Sequence, residues 1–209
     1  MAMSAAQPDH AYAERLLRRQ EALQVEAAEV IAALDLPAVL AAAGPVEQIG
    51  SSVSGLMVWR DLDFNILAPG LTPGRLFDTL RPLALAPGLI DLHYRDEHGP
   101  RNPTGDPHDD RFYVVCHYQP DPGTDWKIDL SFWTAEGPRG QLAHLAYLRE
   151  RVTPDRRLAI LWIKDVWHRR PTYPYTVGGY EVYDAVLEHG ARTPDDFAVY
   201  LRARGLPAE

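Results

Sequence analysis

From Asp61 to Leu67 polar and apolar side chains alternate, Asp61, Asp63 and Asn65 against Leu62, Phe64 and Ile66. A period of two predicts a β-strand with one face buried and puts Asp61 and Asp63 on the same side of it. Two like charges held that close on a half-buried strand are costly unless a cation neutralises them. Just upstream lies a small-residue turn, Gly50-Ser51-Ser52. Glycine lets a backbone approach a phosphate closely, and N–H groups and hydroxyls at a turn leading into a helix suit phosphate oxygens. The cation matched to all-oxygen ligands beside a phosphate is Mg²⁺.

A third carboxylate belongs with this pair. Asp129 sits in Trp126-Lys127-Ile128-Asp129-Leu130, inside an apolar strand where an acidic residue needs a reason. If that strand lies beside Asp61–Leu67, three carboxylates converge on one or two metal ions, and two ions about 3.5–4 Å apart clamp both oxygens of a phosphoryl or nucleotidyl transfer. Asp91 is a serious rival for the third position, and Asp125 a weaker one that reads as a turn residue. Lys127 shares the face of Asp129, where it could contact a triphosphate or pair with Asp129.

The rest of the chain arranges itself around this stretch. Leu16, Leu23 and Val30 recur at heptad spacing, which predicts one long amphipathic helix from about His10 to Leu34. Pro37 opens a short second helix to Ala43. Strands are expected at Val46–Ile49, Asp61–Leu67, Leu89–Tyr94, Arg111–Tyr118 and Trp126–Trp133, with a helix over Thr72–Leu85. Arg95–Asp110, polar and rich in proline and glycine, reads as a long loop. After Gly137 helices return: Gln141–Val152, a second from Thr153 to about Arg169, a third near Gly179–His189, and a last one capped by Thr193. Arg170–Tyr175 reads as an extended connection, with Tyr173, Tyr175 and Tyr180 able to stack a ring. The plan is α+β in three parts: N-terminal helices over 1–44, a strand-rich core over 45–136 and a helical region over 137–209.

Charge narrows the partners. The 209 residues carry 21 Lys+Arg against 29 Asp+Glu, a net charge of −8. A basic surface for nucleic acid is not expected from that balance. The single cysteine, Cys116, sits in a strand pattern and reads as a buried, inert thiol. The eight histidines form no ligand-spaced pair along the chain, so surface or structural roles are expected of them. No signal-like segment or membrane-length apolar run is present, and a cytoplasmic protein without membrane contact is the expectation.

The series Gly50-Ser51, then Asp61-Leu62-Asp63, then a later strand bearing Asp129 resembles the nucleotidyltransferase superfamily with the DNA polymerase β palm fold, of the minimal or antibiotic-modifying type. The likeness covers about residues 46–133, and Gly55 falls where many such members carry a glycine. It implies a mixed sheet of about five strands with flanking helices. It also implies transfer of a nucleoside monophosphate from an NTP co-substrate with two Mg²⁺ ions. By that resemblance Asp61, Asp63 and Asp129 are catalytic and metal-binding, while Gly50, Ser51, Ser52 and Lys127 bind phosphate. The acceptor implied is a hydroxyl of a small molecule, aminoglycoside-like or lincosamide-like. Leu56-Met57-Val58-Trp59 departs from the pattern by being apolar and is expected to reshape the nucleotide pocket. The alternative is a binding or regulatory protein, antitoxin-like, that keeps the fold without catalysis. The N-terminal helix could pack on its own chain or on a second copy, which leaves a homodimer open.

Overall fold

The computed structural model describes residues 8–135, 141–174 and 176–208, with the side chains at 141–143 left aside. In chain order the elements are α1 (His10–Ala33), α2 (Leu36–Ala41), β1 (Val46–Ile49), α3 (Ser51–Ser54), β2 (Asp61–Leu67), α4 (Pro73–Ala84), β3 (Leu89–Glu97), β4 (Arg111–Tyr118), β5 (Trp126–Trp133), α5 (Gln141–Arg151), α6 (Pro154–Trp167), α7 (Gly179–Leu187) and α8 (Pro194–Ala203). Contacts divide the chain into two units. One takes in the chain up to Leu23, Leu56–Trp59 and the chain from Tyr147; the other takes in Gln24–Gly55 and Arg60–Ala146. The expected boundary at 136–137 falls outside the described residues.

The second unit is built on one mixed sheet of order β1-β2-β5-β4-β3. Its pairs are antiparallel except β2–β5, which run parallel. The alternation read in the sequence makes this sheet two-faced. Leu62 and Ile66 on β2, Ile128 and Leu130 on β5, and Val114 and Cys116 on β4 are buried together on one face. Helices α2 and α4 contact each other and, between them, strands β1 and β3, bringing in Leu36, Leu40, Leu76 and Leu80. Each of these side chains contributes about 1.5–3 kcal/mol by leaving water. Because the side-chain period is two, burying that face sends every intervening polar residue to the other.

β3 runs three residues past its expected end. Arg95, Asp96 and Glu97 pair with Tyr113, Phe112 and Arg111 instead of beginning a loop. Their charge hides a strand whose place at the sheet edge makes charge tolerable. The remaining stretch folds into short 3₁₀ turns at Gly99–Arg101 and Pro107–Asp109. Arg170–Pro174 is likewise coiled and not extended. Arg170 N–H donates to the Trp167 carbonyl, and Tyr173 N–H to the Arg170 carbonyl, carrying on the end of α6 as successive turns. Tyr175, expected to act with its neighbours, lies outside the described residues.

The other unit packs α6, α7 and α8 around Ile160, Ile163, Trp167, Val182, Val186 and Phe197. Leu56 belongs to this core, and Met57 and Val58 are buried as well. Trp59 meets the Tyr173 ring edge-on at 5.9 Å between centroids. The apolar character of Leu56–Trp59 thus serves packing. The Leu56 carbonyl accepts from Lys164 Nζ at 2.7 Å, so a buried cation fixes the segment. Among the described residues no helix is long and apolar enough to cross a membrane.

Candidate active site

The parallel pairing of β2 with β5 sets Asp63 opposite Asp129 and Asp61 opposite Lys127. These four side chains share the polar face of the sheet as a two-by-two array. Asp61, Asp63 and Asp129 each offer a carboxylate oxygen, and the three oxygens lie within 4.8 Å of one another. That is the spacing one hard cation with oxygen ligands can span. Asp91 is excluded from this group by strand order: it sits on β3, two strands beyond β5. Asp125 lies ahead of β5 and accepts a hydrogen bond from Gln119.

Gly50 closes the array from the side of β1. It precedes α3 with φ 76° and ψ −156°, backbone angles that belong essentially to glycine. A Cβ built there would meet Asp63 Oδ2 at 2.1 Å and Cγ at 2.9 Å. Only a glycine lets the turn sit against that carboxylate. Three carboxylate oxygens beside this cradle fit a divalent metal ion. The turn itself is well anchored. Ser52 Oγ donates to the Ile49 carbonyl and accepts from Gln48 Nε2, while the Ser52 carbonyl accepts from Gln24 Nε2 at 2.7 Å. The Ser51 side chain has no such bond among the described residues. Arg60, next to Asp61, is held by Glu26 at 2.7 Å.

Lys127 stands among the carboxylates. Its Nζ is 2.5 Å from Asp129 Oδ2 and 3.7 Å from Asp61 Oδ1. All three side chains are 14–17% exposed. Burial works against the ammonium, but the Asp61 and Asp129 charges outweigh it and hold its proton well above the usual lysine range. Of the two roles open for Lys127, pairing with Asp129 is the one seen here.

Further along the polar face stand residues that sequence reading passed over. Tyr113 on β4 pairs with Ser131, and burial, then the nearby Asp129 charge, push its phenol above the ordinary tyrosine range. The Arg111 guanidinium lies over the Tyr113 ring at 4.5 Å and the Trp133 ring at 4.9 Å, and donates to Glu97 and Ser131. Their alternation in Arg111–Tyr118 was visible; that β4 neighbours β5 was not. Cys116 is buried on the opposite face, and burial, then the Asp91 and Asp129 charges, push its thiol up to about 12, as fits an inert residue.

The architecture is similar to that of a known structure. The chain is similar to Cid1, described for its RNA terminal uridylyl transferase activity, with a TM-score of 0.51 and 18% identity over 80% of this chain and 50% of that one. It is also similar to a cytoplasmic RNA terminal U-transferase, with a TM-score of 0.47 and 18% identity over 80% of this chain and 51% of that one. The chain therefore spans about half the length of these proteins. No family model and no curated protein matches the sequence. The α+β fold with its five-stranded mixed sheet is shared with the first of these structures.

Proposed function

We propose that the chain is a Mg²⁺-dependent nucleotidyltransferase that moves a nucleoside monophosphate from an NTP to a hydroxyl of a small molecule, such as an antibiotic, and releases pyrophosphate. The observation that carries this reading is the meeting of Asp61, Asp63 and Asp129 on one sheet face, with Gly50 fitted against Asp63. The three carboxylates would hold the metal, two ions in the full site, which when bound neutralise the triphosphate and the charge developing on it. Gly50, Ser51 and Ser52 receive the terminal phosphates. Lys127, tethered beside the same carboxylates, would supply a cation to these phosphates. The acceptor oxygen forms a bond to the α-phosphorus while its proton passes to Asp129. The bond from the α-phosphorus to the oxygen bridging to the β-phosphate breaks, and pyrophosphate leaves with that electron pair.

A second reading takes an RNA hydroxyl as acceptor, after the RNA terminal transferases whose fold is similar. The net charge of −8 weighs against it, since a phosphate backbone rewards basic surfaces. The test is pyrophosphate release with each NTP and Mg²⁺, offered a panel of hydroxylated antibiotics in one arm and oligoribonucleotides in the other. Asp129→Asn is expected to lower turnover about 10²–10⁴-fold, the range of a lost general base. Turnover only with RNA moves the acceptor to the second reading. Absence of turnover in both arms, with NTP binding indifferent to Asp61→Asn, overturns catalysis and leaves the fold as a binding module.

A further inference from the structure

The polar face carries a second group of metal-ligating side chains, at the β3–β4 edge. Asp91 and His117 are paired across these strands, and His93 follows Asp91 by two residues and so points to the same side. His117 Nδ1 donates to Asp91 Oδ1 at 2.6 Å, and His93 Nε2 is 3.4 Å from the same oxygen. The two imidazole rings are 6.0 Å apart between centroids and nearly perpendicular. One ligand atom from each of the three lies within 4.8 Å of the others. His93 and His117, far apart along the chain, are thus brought together by strand register.

We propose that Asp91, His93 and His117 form a binding site for Zn²⁺ or a similar first-row transition ion, separate from the carboxylate triad. Two imidazoles and one carboxylate suit such ions, whereas Mg²⁺ prefers oxygen ligands and dehydrates reluctantly. Zinc bonds to nitrogen and oxygen at about 2.0–2.2 Å, so ligand atoms up to about 4 Å apart can share one ion. The 3.4 Å from His93 to Asp91 suits this, and an ion would take the place of the proton that His117 and Asp91 share at 2.6 Å. His93, with 64% of its side chain exposed, has room to turn for the third separation. Three protein ligands leave a fourth position to water. The triad lies over β2–β5 and this cluster over β4–β3, two strand spacings away, or about 10 Å. That is too far for the 3.5–4 Å clamp of a two-metal centre, so an ion here is not a partner in phosphoryl chemistry. What it does is tie the edge strand β3 to β4 through side chains, where Asp91 follows an irregularity in the pairing.

The test is Zn²⁺ titration of the chelator-stripped full chain against a chromophoric zinc indicator, with millimolar Mg²⁺ present to fill the triad. One Zn²⁺ per chain is expected. His93→Ala and His117→Ala should each weaken it by about tenfold or more, while Asp61→Asn leaves it unchanged. Co²⁺ in place of Zn²⁺ should give a visible absorption band lost in the same two variants. His93→Gln, milder in shape, guards against misfolding, and circular dichroism checks every variant. Failure of the wild-type chain to bind Zn²⁺ overturns the site. So does a Zn²⁺ affinity unmoved by the histidine variants, or one abolished by Asp61→Asn.

Discussion

Replacing Lys127 with alanine removes the cation that sits between Asp129 and Asp61 and leaves a cluster of three carboxylates to repel one another. At 3.7 Å and an effective dielectric of about 20, the Lys127–Asp61 attraction alone is roughly 4–5 kcal/mol before desolvation. The lysine's own desolvation offsets part of that, and breaking a buried pair typically costs about 3–5 kcal/mol. With 14–17% exposure, solvent screening removes little. A net loss of about 2–4 kcal/mol is expected, or roughly 4–16 °C in Tm at about 2–4 °C per kcal/mol for a chain of this size. The loss should appear in EDTA and shrink in Mg²⁺, because a metal bound by the same carboxylates takes over the neutralising role. Removing the competing ammonium should also tighten Mg²⁺, by about tenfold for each 1.4 kcal/mol of competition relieved. Thermal unfolding across a Mg²⁺ series, for Lys127→Ala and for Lys127→Met, which keeps the packed methylenes, measures both effects. Variants that unfold with the wild type in EDTA, or that respond to Mg²⁺ no more than it does, would refute a cation site at the triad.

Gly50→Ala places a methyl 2.1 Å from Asp63 Oδ2 in a backbone region costing about 1–3 kcal/mol for any other residue; lower Tm and weakened Mg²⁺-dependent NTP binding are expected together, by thermal unfolding and calorimetry. Asn65→Ala deprives the Trp133 indole of its partner at 2.9 Å, and should cost about 1–3 kcal/mol in denaturant unfolding. His168 is held below its ordinary value of 6.5 by burial. Its folded form therefore takes up fewer protons than its unfolded form, so stability is intact above about pH 6.5 and drains away as pH falls through the folded-state value. His168→Gln should flatten that acid limb in Tm measured against pH.

The faces of the sheet were legible and its neighbours were not. β1, β2, β4 and β5 run over the residues expected, and in β2 the reason is plain: a strand with one buried face must repeat every two residues. The same logic assigned Asp61, Asp63 and Asp129 to one type of face. β3 was cut short because Arg95–Glu97 looks like loop, although an edge strand can carry such charge. What Leu56–Trp59 packs against was not legible, because its partners, such as Tyr173, lie far away in sequence. The nearness of His93 and His117 is hidden for a related reason: twenty-odd residues and two turns separate them, and only the β3–β4 register brings them together.

What makes the triad, then, is a choice of neighbour that periodicity leaves open. A one-residue slip of β5 would drive Asp129 into the apolar face and is excluded by Ile128, Leu130 and Phe132. A two-residue slip keeps every side chain on its proper face, yet it would move Asp129 from Asp63 to Asp61 or Asn65. The register observed is held at its far end by groups that cannot slide: Trp133 Nε1 donates to Asn65 Oδ1, and Ala68 N–H to the Trp133 carbonyl at 2.8 Å. Trp133 and Asn65 are both buried, so leaving either unpaired costs more than a surface bond would. A polar bond at the end of β5 thereby sets which carboxylate Asp129 meets in mid-strand, and the triad depends on residues outside it.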